Sequence, residues 1–90
     1  MMPAGTADQM RARLAALDPE SLEIRDESGL HVGHEGAKDG GGHYQLTIVS
    51  PRFRGANLPA RHRMIYDALG SMMQKEIHAL AIKACTPDEI

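Results

Sequence analysis

The fold is decided by residues 43–84, which read HYQLTIVSPRFRGANLPARHRMIYDALGSMMQKEIHALAIKA. Residues 43–50 alternate between apolar and polar side chains, which is typical of a half-buried strand. Residues 59–74 follow with apolar side chains at helical spacing, and Pro59 suits a first helical turn because its missing N–H needs no partner there. Residues 77–84 predict another strand. A strand, a helix and a strand in succession form a right-handed crossover, so we expect the two strands to be parallel if they share one sheet.

The residues before this crossover predict one more helix and one more strand. Apolar side chains at helical spacing predict a helix over residues 6–17, and Thr6 with Gln9 matches a capping box at its start. Residues 21–25 alternate and predict a half-buried strand. Residues 1–5 are interpreted as a disordered leader.

The predicted order of elements is α-β-β-α-β-α, in which the last helix is a short terminal turn capped by Thr86. This order predicts a single small α/β domain over residues 6–90, with a three-stranded mixed sheet and the helices on one face. The length of 90 residues and the hydrophobic fraction of 42% suit one small globular domain.

Composition and motifs argue against several classes of protein. No apolar run approaches the roughly 20 residues that span a bilayer, so no membrane partner is expected. The single thiol, Cys85, cannot form an internal disulfide or a four-thiolate metal site, which indicates a reduced, intracellular protein. We expect it in the cytoplasm, or in the mitochondrial matrix if the source is eukaryotic, as a monomer when isolated. The chain has no nucleophile elbow, no His-Glu-x-x-His and no phosphate loop, so no enzyme is expected.

One segment of the chain concentrates positive charge. Residues 51–64 contain four arginines and no acidic residue, whereas the other residues hold six basic and all twelve acidic ones, a balance of −6. The arginines are Arg52, Arg54, Arg61 and Arg63. The segment is either a solvated loop and helix start, or a surface that binds an anion, an acidic partner or nucleic acid. The formal net charge of the whole chain, −2, argues against a general binder of polyanions.

The main chemical signal is a set of five histidines. They are His31, His34, His43, His62 and His78. The first two lie in a glycine-rich stretch that predicts a mobile loop, and His43 follows at its exit. Side chains two residues apart on a strand share a face, so His78 is expected beside Leu80 and Ile82 at the rim of the apolar face. There it either bonds to the backbone as a half-buried histidine or binds a metal together with His31 or His34.

Cys85 is not expected to join a metal site at His78. It lies seven residues further on, about 23 Å along an extended strand, and the odd spacing places the two side chains on opposite faces. A metal site that includes His78 must therefore lack a thiolate from this chain. An iron–sulfur cluster shared with a partner that supplies the sulfur ligands meets this condition.

Several motifs of the chain resemble the BolA-like family. They are Asp26-Glu27-Ser28-Gly29-Leu30-His31, His43-Tyr44, Val49-Ser50-Pro51-Arg52-Phe53-Arg54-Gly55, Arg61-His62-Arg63-Met64-Ile65-Tyr66, Ile77-His78-Ala79-Leu80-Ala81-Ile82 and Thr86-Pro87. The similarity runs in order over about residues 7–89 of the chain. It implies an α/β fold like that of a class II KH domain.

The resemblance also implies a partner and a cofactor, because members of this family partner monothiol glutaredoxins. It implies a [2Fe–2S] cluster that takes one thiolate from the glutaredoxin and one from its glutathione. This chain would add His78 and a histidine of the first inter-strand loop, where His31 aligns and His34 is the alternative. No cluster is expected in the isolated chain.

The function implied by the resemblance is that of a non-enzymatic adaptor in iron–sulfur cluster assembly, trafficking or iron regulation. The arginines would contact the partner, glutathione or nucleic acid. Because some members of the family are described as transcriptional regulators, a DNA-binding regulator is the alternative function.

Overall fold

The computed structural model describes residues 5–27 and 42–90. The helices and strands in these ranges are α1 (Thr6–Leu14), β1 (Ser21–Asp26), β2 (Gly42–Val49), α2 (Leu58–Leu69) and β3 (Ile77–Cys85). A 3-10 turn continues each helix, over Ala15–Leu17 and Gly70–Gln74. The helices predicted over residues 6–17 and 59–74 are therefore confirmed, each as an α-helix that tightens in its last turn.

The three strands form one mixed sheet in which β2 is central. β1 pairs with β2 in antiparallel orientation, and β3 pairs with β2 in parallel orientation. The parallel pair is connected through α2, as the order of elements predicted. Because β2 and β3 run in the same direction, their first residues lie at the same end of the sheet.

The hydrophobic core lies between the two helices and one face of this sheet. Alternate residues of β2 are buried there, which confirms the pattern predicted for residues 43–50. The two helices, the sheet and the 3-10 turn Pro51–Phe53 contribute the completely buried apolar side chains, which are Met10, Leu14, Leu46, Ile48, Phe53, Ile65 and Leu69. We call the other side of the sheet, which bears His43, Gln45 and Thr47 of β2, the open face.

The start of α1 differs from the prediction, because Thr6 and Gln9 do not form a capping box there. The N-cap is Gly5, one residue earlier, with φ −69° and ψ 171°. The Gln9 backbone N–H donates to the Gly5 carbonyl oxygen over 3.0 Å, so Thr6 is already helical and its hydroxyl is past the capping position. At the other end of the chain the predicted turn, Pro87–Glu89, is confirmed with Thr86 as its N-cap.

β3 begins with a β-bulge that the sequence analysis did not anticipate. Gly42 pairs with Ile77, but the next residue of β2, His43, pairs with Ala79. His78 is therefore an extra residue on β3. Ile77 is buried, whereas both His78 and Ala79 are exposed. An extra residue of this kind interrupts the alternation of faces along a strand.

Because of the bulge, the side chain of His78 lies on a different face of the sheet from the one predicted. The bulge allows Ile77 and Leu80 to face the core although they are three residues apart, which strict alternation forbids. The prediction that His78 shares a face with Leu80 and Ile82 is wrong for this reason. His78 lies on the open face instead, beside His43.

Two predicted segments lie mostly outside the described residues. Of the predicted leader the structure describes Gly5 alone, and of the predicted glycine-rich loop it describes Gly42, which begins β2. Within the described ranges, no helix has the length and apolar character needed to cross a membrane.

Candidate functional site

Two imidazoles lie side by side at one end of the open face. His43 is the second residue of β2 and His78 the second residue of β3. Their ring centroids are 5.3 Å apart and the ring planes are inclined by 35°. His43 is half-buried and His78 is exposed, so a ligand can approach the pair from solvent. We call these two residues the histidine pair.

The histidine pair supplies nitrogen ligands and no sulfur. Imidazole nitrogen suits zinc, copper, nickel and iron. Among the described residues, no three His, Cys, Asp or Glu side chains come together closely enough to hold an ion. The pair thus offers two of the four ligands of a tetrahedral metal.

The other histidines have different positions. His31 and His34 lie outside the described residues. His62 is half-buried on α2, on the helix-covered side of the sheet, where it makes an edge contact with Tyr66 at 6.4 Å between ring centroids.

His43 is the residue that the sequence analysis passed over as a candidate ligand. The predicted metal site pairs His78 with His31 or His34 and does not include His43. The sequence does contain a sign that His43 and His78 lie close together. His43 begins one predicted strand, and His78 lies at the start of the strand expected to run parallel to it.

Cys85 lies at the far end of β3 from the histidine pair. It pairs with Val49, six residues after His43 on β2, which is about 20 Å along the sheet. The distance argument against this thiol is therefore confirmed. The prediction that the side chains of His78 and Cys85 lie on opposite faces is wrong. The bulge at His78 adds a residue and so changes the alternation of faces between His78 and Cys85.

Arg61 is buried, with 8% of its surface exposed, and does not belong to an open basic surface. Its two terminal nitrogens donate to the carboxylate oxygens of Glu89 over 2.6 and 2.9 Å. Its other hydrogen bonds go to the carbonyl oxygens of Ala56 and Ala84, over 2.8 and 3.1 Å. The guanidinium also lies 5.9 Å from the centre of the Phe53 ring.

The ion pair at Arg61 changes the acidity of both partners. The pKa of Glu89 is lowered to about 2, chiefly by the hydrogen bond from the guanidinium and next by the Thr86 backbone N–H, which donates to the same carboxylate over 2.8 Å. The hydrogen bond to Glu89 in turn raises the pKa of Arg61. Arg61 therefore joins the C-terminal turn to the body of the domain as a charged residue.

The other three arginines are exposed, and two of them are paired within the chain. Arg52 lies 2.6 Å from a carboxylate oxygen of Asp18, and Arg54 lies 3.0 Å from one of Asp88. Arg63 is exposed on α2. The concentration of positive charge along residues 51–64 is thus partly neutralised in three dimensions. Exposed ion pairs of this kind are weak, about 0–1 kcal/mol each, so a competing anion can displace them.

Comparison with known proteins gives matches that agree on one family. A family model described as BolA-like protein matches residues 14–89. BolA-like protein 1 of Mus musculus is 43% identical over 79 residues, which covers 87% of this chain and 56% of the relative. The DNA-binding transcriptional regulator BolA of Vibrio cholerae is 38% identical over 71 residues, which covers 79% of this chain and 64% of the relative. The chain spans about half the length of the mammalian relatives that it matches.

A solved structure shares the whole described fold. The BolA domain of SufE1 from Arabidopsis thaliana superposes with a TM-score of 0.80 at 40% sequence identity, and the match covers 98% of this chain and 100% of that domain. The mixed sheet with its two helices is therefore the architecture of that domain as well.

Proposed function

The chain belongs to the BolA-like family, and from this premise and the histidine pair we propose that it is a non-enzymatic adaptor of iron–sulfur cluster assembly, trafficking or iron regulation. It would act by sharing a [2Fe–2S] cluster with a monothiol glutaredoxin. The observation that carries the proposal is the exposed imidazole of His78, held beside a second imidazole with no thiolate of this chain nearby.

The ligand chemistry supports a cluster shared between two proteins. In Rieske centres two histidines replace two cysteines on one iron, which raises the reduction potential relative to all-thiolate clusters. A glutaredoxin and its glutathione would supply thiolates, and this chain would supply imidazoles. His78 is one ligand; His31 is the loop ligand implied by the family, with His34 as the alternative, and His43 is the second imidazole that the structure places within reach.

The architecture of a relative supports a role as a module. The solved Arabidopsis chain is the BolA domain of a larger protein, SufE1. A domain of this kind thus occurs covalently joined to another part of a protein, which suits a module that works beside a partner.

The proposal predicts that His78→Ala removes the spectral effect of this chain on a cluster-loaded monothiol glutaredoxin. Mixing the full chain with that glutaredoxin should change the visible absorption and circular dichroism, because histidine ligation alters the electronic structure of the iron. His78→Ala should abolish the change and keep the fold, since the side chain is exposed. His62→Ala, on the other side of the sheet, is the matched control and should behave like the wild type. An unaltered spectral change with His78→Ala would contradict the proposal.

A DNA-binding regulator is the second candidate function. The Vibrio cholerae relative is named a DNA-binding transcriptional regulator, and three of the four arginines in residues 51–64, namely Arg52, Arg54 and Arg63, are exposed. These side chains could contact phosphate after exchanging their weak partners.

A further inference from the structure

β3 forms one edge of the sheet, and part of its backbone faces away from β2. The strand order in the described ranges is β1-β2-β3, so no described strand lies beyond β3. The Ser50 N–H donates to the Cys85 carbonyl oxygen over 2.9 Å, so Cys85 directs its carbonyl toward β2. Backbone groups point to alternate sides along a strand, so Leu80 and Ile82, each an odd number of residues before Cys85, direct their N–H and C=O groups away from β2. We call these groups the outer edge of β3.

The backbone that follows the outer edge is already hydrogen-bonded within the domain. The Ala84 carbonyl oxygen accepts from Arg61 over 3.1 Å, and the Thr86 N–H donates to Glu89 over 2.8 Å. Within the part of the chain that the structure describes, no such bond covers the outer edge itself. Its donors and acceptors are therefore available to another strand.

The opposite edge of the sheet, β1, is protected against the addition of a strand. Arg11 donates to the Leu22 carbonyl oxygen over 3.3 Å and so occupies one acceptor of that edge. Charged side chains are a common protection of edge strands, and β1 exposes three of them, Glu23, Arg25 and Asp26. A further strand is thus expected at β3 and not at β1.

The side chains at the outer edge are suited to an added strand. Leu80 and Ile82 pack against the core but remain partly exposed, so they offer apolar surface beside the open hydrogen-bonding groups. Lys83 is exposed on the open face, where it is the neighbour of Thr47 in the sheet. Residues 77–85 contain this one lysine and no acidic residue.

The charge of β3 favours an acidic strand over a second copy of this chain. Lys83 makes no ion pair with another residue of the described ranges. A second copy of β3 would bring another lysine and no carboxylate to the edge. A strand with Asp or Glu beside Lys83 instead gains a pair of opposite charges across the two strands.

We propose that the outer edge of β3 binds an extended segment of a partner protein, with alternate apolar side chains beside Leu80 and Ile82 and an acidic side chain beside Lys83. In strand addition of this kind the backbone hydrogen bonds give affinity and the alternate side chains give specificity. The bound segment becomes a fourth strand of the sheet. This surface needs neither a metal nor a cluster, so the proposal does not rest on the proposed function.

The probe is a short blocked peptide in which valine and glutamate alternate, titrated into the isotope-labelled full chain. It should shift the backbone amide resonances of Leu80 and Ile82 and slow the exchange of both amides with solvent, because each N–H then donates to the peptide. N-methylation of one alternate set of peptide residues should abolish binding, whereas methylation of the other set should preserve it, since only one set faces β3. Equal loss with both sets would contradict strand addition.

The contribution of Lys83 is tested by reversing its charge. Lys83→Glu should weaken binding of the glutamate peptide at least roughly twofold, as expected for one pair of charges across two strands. It should also strengthen binding of a peptide in which valine and lysine alternate. Arg25→Glu is the matched control, because it makes the same change in net charge at an exposed position on β1, and its affinity should equal that of the wild type.

Three outcomes would overturn the proposal. They are equal affinity of the wild type for the two peptides, amide shifts that spare Leu80 and Ile82, and self-association of the peptide-free chain in the ultracentrifuge with protection of the same two amides. The last outcome would make a second copy the occupant of the edge. The probe carries no cluster and no thiol, so none of these outcomes alters the glutaredoxin experiment and the two proposals fail separately.

Discussion

The guanidinium of Arg61 lies inside the domain, where its acceptors come from three different segments. They are the loop before α2 at Ala56, the end of β3 at Ala84 and the terminal turn at Glu89. Lysine carries a point charge and cannot donate two parallel hydrogen bonds to one carboxylate. Arg61 is thus a structural residue, although the other arginines of residues 51–64 led to the prediction that it belongs to a binding surface.

At the residue scale, Glu89 should make stability depend on pH in the acidic range. Its pKa is about 2 in the folded chain, below the ordinary value of 4.5, so the carboxylate stabilises the fold above pH 4.5. This contribution is lost as the pH falls from about 4.5 toward 2. The urea midpoint of Glu89→Gln should therefore be lower than that of the wild type at pH 6, and the two should converge near pH 2.

A matched control for Glu89 is Asp88, which pairs with Arg54 on the surface. That hydrogen bond also lowers the pKa of Asp88. Because both partners are exposed and screened by solvent, Asp88→Asn should change the midpoint less than Glu89→Gln does. Equal pH dependence in the wild type and in Glu89→Gln would contradict the role given to the pair of Arg61 and Glu89.

At the scale of elements, the start of β2 depends on the close packing of one ring against the backbone. The buried Tyr44 ring lies across Gly42, and a Cβ added at Gly42 would be 2.8 Å from the ring Cζ atom. Real Cβ atoms do not come that close to a neighbour, so the ring or the strand must move. This packing sets the start of the strand that carries His43.

We therefore expect Gly42→Ala to destabilise the fold by about 1–3 kcal/mol, the usual cost of overpacking. Urea denaturation monitored by circular dichroism measures the change. In a Tyr44→Leu background, where the ring is absent, the same substitution should cost less, and this coupling separates the clash from other effects of alanine. An equal cost in both backgrounds would show that the Tyr44 ring is not the cause.

For the molecule as a whole, the distribution of charge limits any binding to DNA. Arg61 is buried, which leaves Arg52, Arg54 and Arg63 as the exposed cations of the segment, on a chain with a formal net charge of −2. Each phosphate neutralised on duplex DNA contributes about −0.9 to the slope of log affinity against log salt, so three contacts give about −2.7. We expect weak, nonspecific binding with a slope no steeper than this.

Fluorescence anisotropy with a labelled duplex at several salt concentrations tests this limit. Replacing the three exposed arginines by alanine should remove the salt dependence, whereas Arg61→Lys should lower thermal stability and leave the slope unchanged. Submicromolar, sequence-selective binding without any glutaredoxin would instead favour the regulator over the adaptor.

The sequence by itself determined the order and type of the elements, because these depend on local patterns. The spacing of apolar residues in 59–74 indicates a helix whatever surrounds it, and the alternation in 43–50 indicates a strand. The connection through a helix was enough to expect parallel β2 and β3. The motifs that resemble the BolA-like family also indicate His78 as a candidate ligand from the sequence alone.

The tertiary structure alone decided which side chains meet. The bulge that turns His78 to the open face arises from pairing between β2 and β3, and its one visible trace in the sequence is the spacing of three between Ile77 and Leu80. Arg61 and its acceptor Glu89 are 28 residues apart, so no local pattern distinguishes this buried arginine from the exposed Arg63. Register and ion pairing are long-range properties, and they are settled only when the strands and the chain end pack together.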